Sequence, residues 1–297
     1  MLTVIRDIPE RAACDTVNRR VIQAAAITPR AEHGDLDFGA TFELIDRLCS
    51  AGVGGIVLFD AAGEYAAFSG DERSRLVYLA VKRSRVPVIA GVGGDSLALS
   101  LALARDARQA GAAAVLLPPP YFFAYRQDDL REFYSQFARQ LGGGVPVYIA
   151  NRPAFTSTIE PETAAALLGT GHFAGIAEAD AFDCIRAAGY NALGGDSNCE
   201  HALAAGAPVI SAAACAVPRL AVDLDRAIAG NCEEEARRLQ ARFREFLAWV
   251  EEFPFPVLLK AAVELRGLKA GPPAVPLPPG KLRRMDEFRE WFRAWDR

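Results

Sequence analysis

Eight short runs of almost uninterrupted apolar residues recur along this chain, and their spacing constrains its fold more than any other feature. They lie at 21–28, 55–60, 87–92, 113–118, 146–151, 174–178, 192–195 and 208–213. Each is too short for a helix of typical length and lacks the polar–apolar alternation of a strand with one wet face. Continuous apolar strands are those covered on both faces, as in a parallel sheet flanked by helices. Helix-period stretches separate the runs, among them 38–51, 71–83, 97–110 and 128–141, while 180–188 is short and weakly patterned. Boundary signals agree with this division. Ser69-x-x-Glu72 forms a capping box, Pro161 suits a first helical turn, and Gly52 and Gly111 follow helix ends.

Eight strand–helix alternations predict an α/β fold, a (β/α)₈ TIM barrel with a C-terminal helical extension. A doubly wound sheet is the alternative, but no G-x-G-x-x-G follows the first run. Beyond residue 230 the pattern turns helical, at 233–253 and 257–268. A proline-rich strap at 271–280 and an amphipathic Trp/Phe helix at 285–295 close the chain. The expected organisation is an N-terminal extension at 1–20, a barrel at 21–230 and a helical region at 231–297.

Charge and composition narrow the function. A formal net charge of −4 offers no field for nucleic acid or an anionic membrane surface, so neither is expected as a partner. The apolar runs fall short of the roughly 20 residues that a bilayer span needs. Residues 1–20 mix both charge signs without a signal-like apolar stretch, so a cytoplasmic location is expected. Cys14, Cys49, Cys184, Cys199, Cys215 and Cys232 include no C-x-x-C pair and read as reduced thiols. His33, His172 and His201 are far apart in sequence, and no catalytic Ser/His or Cys/His constellation emerges. Neither a metal nor a cofactor is expected.

A series of motifs then lines up in order. They are Thr28-Pro29, the segment 51–56, Gly63-Glu64, Ser69 through Arg73, the segment 86–92, Pro119-Pro120-Tyr121, Asn151 with Pro153, Gly195-Asp196 and the segment 256–268. In these the chain resembles the dihydrodipicolinate synthase/N-acetylneuraminate lyase family from about residue 21 to 268. The resemblance implies a (β/α)₈ barrel that forms a homodimer or homotetramer and acts on 2-keto acids such as pyruvate by class I aldolase-like chemistry. Carried over residue by residue, it places the family's Schiff-base lysine on Ala177 and its strand-five tyrosine on Ala150. The tyrosine contributed across the dimer interface falls on Phe122. The hydroxyl pair falls on Ala61 and Ala62, and the arginine after the strand-five proline falls on Phe155.

An alanine methyl cannot attack a keto carbon, and the proton relay needs phenols and hydroxyls. Of the lysines, Lys82, Lys260, Lys269 and Lys281, none falls at a predicted strand C-terminus, where barrel enzymes place their chemistry. The resemblance therefore implies a diverged member lacking the Schiff-base lysine. The expected function is a protein that has lost Schiff-base aldolase catalysis. It would bind a small carboxylated or sugar-derived ligand in a widened apolar pocket lined by the six substituted positions, or serve a regulatory role. The alternative is a lyase or dehydratase of 2-keto-acid or sugar-acid substrates working without an imine.

Polar residues near the strand ends supply the candidates for a pocket or an acid/base role: Asp60, Tyr121, Tyr148, Asn151, Arg152, Glu178, Asp196 and Ser211. Tyr148 precedes Ala150 by two residues, so the period of a strand puts both on one face. Arg152 is either an anion clamp for a ligand carboxylate or a surface ion-pair partner. Glu178 and Asp60, joined by Asp196, read either as a divalent-metal site or as an acid/base pair, whereas the resemblance implies that Glu64 and Glu178 hold a hydrogen-bond network, the reading that is expected. Tyr121, Phe122, Phe123 and Tyr125 make a segment too apolar to leave in water. It is expected at a subunit interface or folded back as a lid.

Overall fold

A computed structural model describes residues 22–177 and 180–296. Its strands are β1 (Ile22–Ala25), β2 (Gly55–Leu58), β3 (Val88–Gly91), β4 (Ala114–Leu117), β5 (Val147–Ala150), β6 (Gly175–Ala177), β7 (Ala192–Leu193) and β8 (Val209–Ser211). All eight apolar runs contain a strand, shorter at its ends than the run. Every strand residue is buried, which is why the runs lack alternation.

Between the strands lie α1 (Phe38–Ala51), α2 (Gly70–Arg83), α3 (Leu97–Ala110), α4 (Gln127–Leu141), α5 (Pro161–Gly169), α6 (Phe182–Ala187) and α7 (Cys199–Ala204). A single turn, α8 (Ala213–Ala216), and α9 (Pro218–Ala229) follow β8. The strands are parallel and ordered β7-β6-β5-β4-β3-β2-β1-β8. Gly194 closes the ring: its N–H donates to Pro208 O and its carbonyl accepts from Ile210 N, both at 2.9 Å. The molecule is a (β/α)₈ barrel.

Local chemistry sets the helix ends. Ser69 accepts from Glu72 N, and Glu72 accepts from Ser69 N at 2.9 Å, so two otherwise orphaned amides are satisfied at the start of α2. Gly52 and Gly111 take φ of 87° and return the chain from α1 and α3. Gly91 has a different reason to be glycine: a Cβ there would meet Phe59 O at 2.0 Å. The end of β3 is thus pressed against the turn leaving β2.

The C-terminal helices are α10 (Glu233–Glu251), α11 (Val257–Leu265) and α12 (Pro279–Trp295). The last begins at Pro279 rather than at 285, because a proline is at home in a first helical turn and the strap ends sooner than its composition suggests. Phe288 and Phe292 of α12 are fully buried with Phe246 of α10, each contributing about 1.5–3 kcal/mol of burial. Arg30 N donates to Ala270 O at 3.0 Å, which fastens the strap to the turn after β1. No helix among the described residues is long and apolar enough to cross a membrane.

Candidate functional site

The strand C-termini and the loops that leave them define one end of the barrel, and its two sides are furnished differently. After β1, Thr28 Oγ1 donates to Gly63 O at 2.8 Å, which ties the first loop to the second. Glu64 follows with φ of 49° and turns its carboxylate inward. Lys260, delivered by α11, lies 2.5 Å from Glu64 Oε2 as an ion pair poorly aligned for a hydrogen bond, and its side chain is 4% exposed. Arg30 Nε stands 3.6 Å from the same oxygen. Burial lowers the Lys260 pKa, and the Glu64 carboxylate offsets this only in part.

Arg73 is buried beside this corner. Its guanidinium donates to Gly93 O at 2.8 Å and Gly91 O at 3.0 Å and lies over the rings of Phe59 and Tyr65. Burial lowers its pKa to about 10. Tyr65 packs edge-on against Tyr121 at 5.6 Å. Burial first, then Tyr121 and Asp60, push its phenol up to about 12. Sequence reasoning passed over both residues as site candidates. Arg73 had a visible signal, since it shares the 3.6-residue period of Leu76, Val77 and Ala80 on the buried face of α2. Tyr65 sits in a loop without such a pattern.

On the opposite side, strand register sets Ala150 directly beside Ala177. Both are 0% exposed, and Ala62 is nearly so. Tyr148 lies buried one step back along β5, its ring close to Gly175 of β6. Asn151 is committed to the loop before α5: its amide donates to Ile159 O and its carbonyl accepts from Ile159 N, both at 3.0 Å.

Of the six positions expected to line a widened apolar pocket, Ala61 is half-buried, and the others divide between the barrel interior and the surface. The buried alanines present no open surface. Phe122 (φ of 86°) is 86% exposed, and Phe155 is 48% exposed against Phe255. A left-handed backbone at Phe122 turns its ring toward solvent and Phe123. Glu178 lies outside the described residues.

Two pairs bridge the sides. Arg152 Nη2 donates to Asp60 Oδ2 at 3.0 Å, joining the ends of β5 and β2. Ser211 Oγ donates to Asp196 Oδ1 at 2.5 Å, and Asp196 Oδ2 accepts from Ala212 N and Ala213 N at 2.9 and 3.1 Å. Burial raises the Asp196 pKa against those hydrogen bonds and against the nearby charge of Arg152. Asp60, Arg152, Asp196 and Ser211 thus form a charged seam over the strand ends.

A parallel barrel carrying its polar groups at the strand C-termini, with a helical extension closing over one side, defines a class in which enzymes are common. The model of the dihydrodipicolinate synthetase family matches residues 18–294, and the chain belongs to that family. It is 34% identical to a 4-hydroxy-tetrahydrodipicolinate synthase of Azoarcus sp. (strain BH72) over 269 residues, covering 86% of this chain and 91% of the relative. A synthase of the same name from Xanthomonas axonopodis pv. citri is 33% identical, covering 84% and 86%. Among solved structures, dihydrodipicolinate synthase from Aquifex aeolicus superposes with a TM-score of 0.83 at 25% identity, covering 92% of this chain and 98% of that one. A prophage protein of the dihydrodipicolinic acid synthase family from E. coli K12, solved in complex with pyruvate, gives 0.82 at 25% identity, again covering 92% and 98%.

These relatives overturn the expectation of a member whose catalysis is lost. Proteins 28–34% identical over most of their length carry the name of a synthase. The earlier expectation weighed a handful of positions as though they exhausted the chemistry, whereas the seam and the buried charges retain other functional groups at the same end of the barrel.

Proposed function

We propose that the chain catalyses a carbonyl condensation of the 4-hydroxy-tetrahydrodipicolinate synthase type at this end of the barrel. It does so as a diverged member in which Ala177 stands where the family resemblance puts the Schiff-base lysine. The observation that carries the reading is 34% identity to a synthase across 91% of that protein's length. The pyruvate held by a solved relative supports a 2-keto acid as one substrate.

Arg152 is the residue for the keto-acid carboxylate, since its guanidinium already holds the Asp60 carboxylate in a partly buried seam. Tyr65, with its pKa near 12, stays protonated at neutral pH and supplies a hydrogen-bond donor for charge developing on a carbonyl oxygen. Lys260 is the amine that the fold brings to this end, held by Glu64 and shifted by burial toward its neutral form.

The test supplies pyruvate with a panel of aldehydes and follows pyruvate loss and adduct mass. Aldehyde-dependent consumption is expected. Arg152→Ala should lower kcat/KM about ten- to a hundredfold, mainly through KM for pyruvate, as loss of a charge-assisted pair of about 1.5–3 kcal/mol implies. Borohydride quenching with peptide mapping then locates any imine: an adduct on Lys260 assigns the amine. Turnover without an adduct assigns carbonyl activation to Arg152 and Tyr65. Pyruvate left untouched by every aldehyde would refute the proposal.

A further inference from the structure

Away from the strand ends, α9, α10 and the residues that end α11 and α12 border a cleft of about 660 Å³, a volume usual for a ligand pocket. Five guanidiniums line it, from Arg219, Arg226, Arg238, Arg242 and Arg266, with three carboxylates, from Asp223, Glu235 and Asp296. Five against three leaves the lining positive by two, on a chain whose formal net charge is −4. A concave surface of one sign focuses its field inward and concentrates solutes of the other sign. Water alone can accommodate exposed arginines, so the pairing inside the cleft decides what this surplus means.

Arg226 bonds Asp223 at 3.3 Å, and Arg238 bonds Glu235 through Nε and Nη2 at 2.8 and 2.6 Å. Both pairs are exposed and local to one helix, so each is worth little and yields to a competing anion. Arg242 meets no carboxylate among the described residues. Its Nη2 donates to Trp295 O at 2.5 Å and its guanidinium lies over the Trp295 ring, which fixes its direction. Arg219 finds no hydrogen-bond or ion-pair partner among the described residues. Arg266 supplies an independent observation. Its side chain is 17% exposed and pairs with Asp296, while Arg47 donates to its carbonyl at 3.2 Å. Burial lowers its pKa, Asp296 opposes this, and the charges of Arg47 and Arg219 lower it further. Three guanidiniums thus repel one another around Arg266, and an anion from outside the chain relieves that crowding.

We propose that this cleft binds a small polyanion carrying two or more carboxylate or phosphate charges, held by Arg219 and Arg242. Guanidinium suits such a ligand because its planar fork meets two oxygens of a carboxylate or phosphate at once. The cleft shares no residue with the seam at the strand ends or with the charged corner around Glu64, so its occupancy is measured independently of any condensation activity.

Calorimetry on the full chain at constant ionic strength tests this, with citrate and pyrophosphate as probes and acetate and glycerol as controls. At least one polyanion should bind saturably, one per chain and at least about tenfold tighter than acetate, and glycerol should not bind. Binding of citrate alone assigns a carboxylate ligand, and of pyrophosphate alone a phosphate ligand. Arg219→Gln changes an exposed, unpaired side chain and should fold. It should raise Kd about fivefold or more and leave the melting temperature of the ligand-free protein equal or higher, because it removes a charge that faces Arg266. Arg242→Gln should weaken binding by a similar factor. Arg105→Gln, on α3 outside the cleft, should leave Kd within about twofold. Absence of saturable binding by both polyanions, an affinity unmoved by Arg219→Gln, or an equal loss from Arg105→Gln would each overturn the proposal.

Discussion

On the β1–β3 side of the barrel end, Arg30, Arg73 and Lys260 are buried together with the carboxylate of Glu64. On the β5–β6 side, Ala150 and Ala177 lie edge to edge with no functional group on either. The two sides face opposite energetic problems. Buried charges cost several kcal/mol each unless partners replace water, so the first side depends on the ion pairs that Glu64 makes with Lys260 and Arg30 and on the bonds of Arg73 to two carbonyls. At Ala150 and Ala177 the second side has no polar side-chain group to satisfy and depends on close packing. The alanines at two strand ends therefore do not report on the whole end of the barrel, because the opposite corner carries Arg30, Arg73, Lys260 and Glu64. Arg152 spans the difference, since it grows from the β5 side and is neutralised by Asp60 on the β2 side.

The largest expected effect lies in the crowded corner. Arg73→Ala removes the donor to Gly91 O and Gly93 O and leaves two buried carbonyls without it. At about 1–3 kcal/mol per unsatisfied buried acceptor, the loss should be about 2–6 kcal/mol, read by denaturant unfolding. A loss below about 1 kcal/mol would mean that water reaches those carbonyls, and the contrast between the sides would fail.

Tyr65 sharpens the comparison through pH. Its phenol titrates near 10 in the unfolded chain and near 12 in the fold, so the folded state keeps a proton that the unfolded state gives up between those values. The contribution is fully present below pH 10 and is lost as pH rises toward 12, amounting to about 3 kcal/mol for a two-unit shift. Wild-type stability should fall by about that much more than Tyr65→Phe stability across this window. Parallel curves for the two proteins would show that burial in this corner does not hold the phenol neutral.

The sequence carried unequal amounts of this information. Strand positions were legible because burial on both faces removes alternation, and α1 and α3 were bounded by glycines that only a left-handed turn requires. The start of α12 was not, because proline reads equally as strap and as first turn. Arg73 carried a signal in its place on the apolar stripe of α2, but was passed over as a site residue. The Arg152–Asp60 pair was not, since 92 residues and two intervening strands separate its members and only barrel closure brings them together. The direction of the Phe122 ring depended on one backbone angle that its aromatic neighbours do not announce. Family membership was legible from ordered motifs, whereas the expectation of lost catalysis rested on a few strand-end positions and is opposed by the synthase names of the relatives.

The smallest expected effect tests the quiet side. Ala177→Ser adds a single hydroxyl where the residue is 0% exposed and lies opposite Ala150 in register. With no side-chain partner offered by Ala150, the hydroxyl must turn to strand carbonyls already engaged in the sheet, and the expected cost is about 1 kcal/mol. The same variant should leave aldehyde-dependent pyruvate consumption within about twofold, because the proposed chemistry draws on Arg152, Tyr65 and Lys260 rather than on this strand. A cost near zero would mean that water enters beside Ala177 and that the alanine wall belongs to an open mouth. A cost above about 3 kcal/mol would mean that this corner is as exacting as the charged one, and the two sides would then differ in chemistry but not in tolerance.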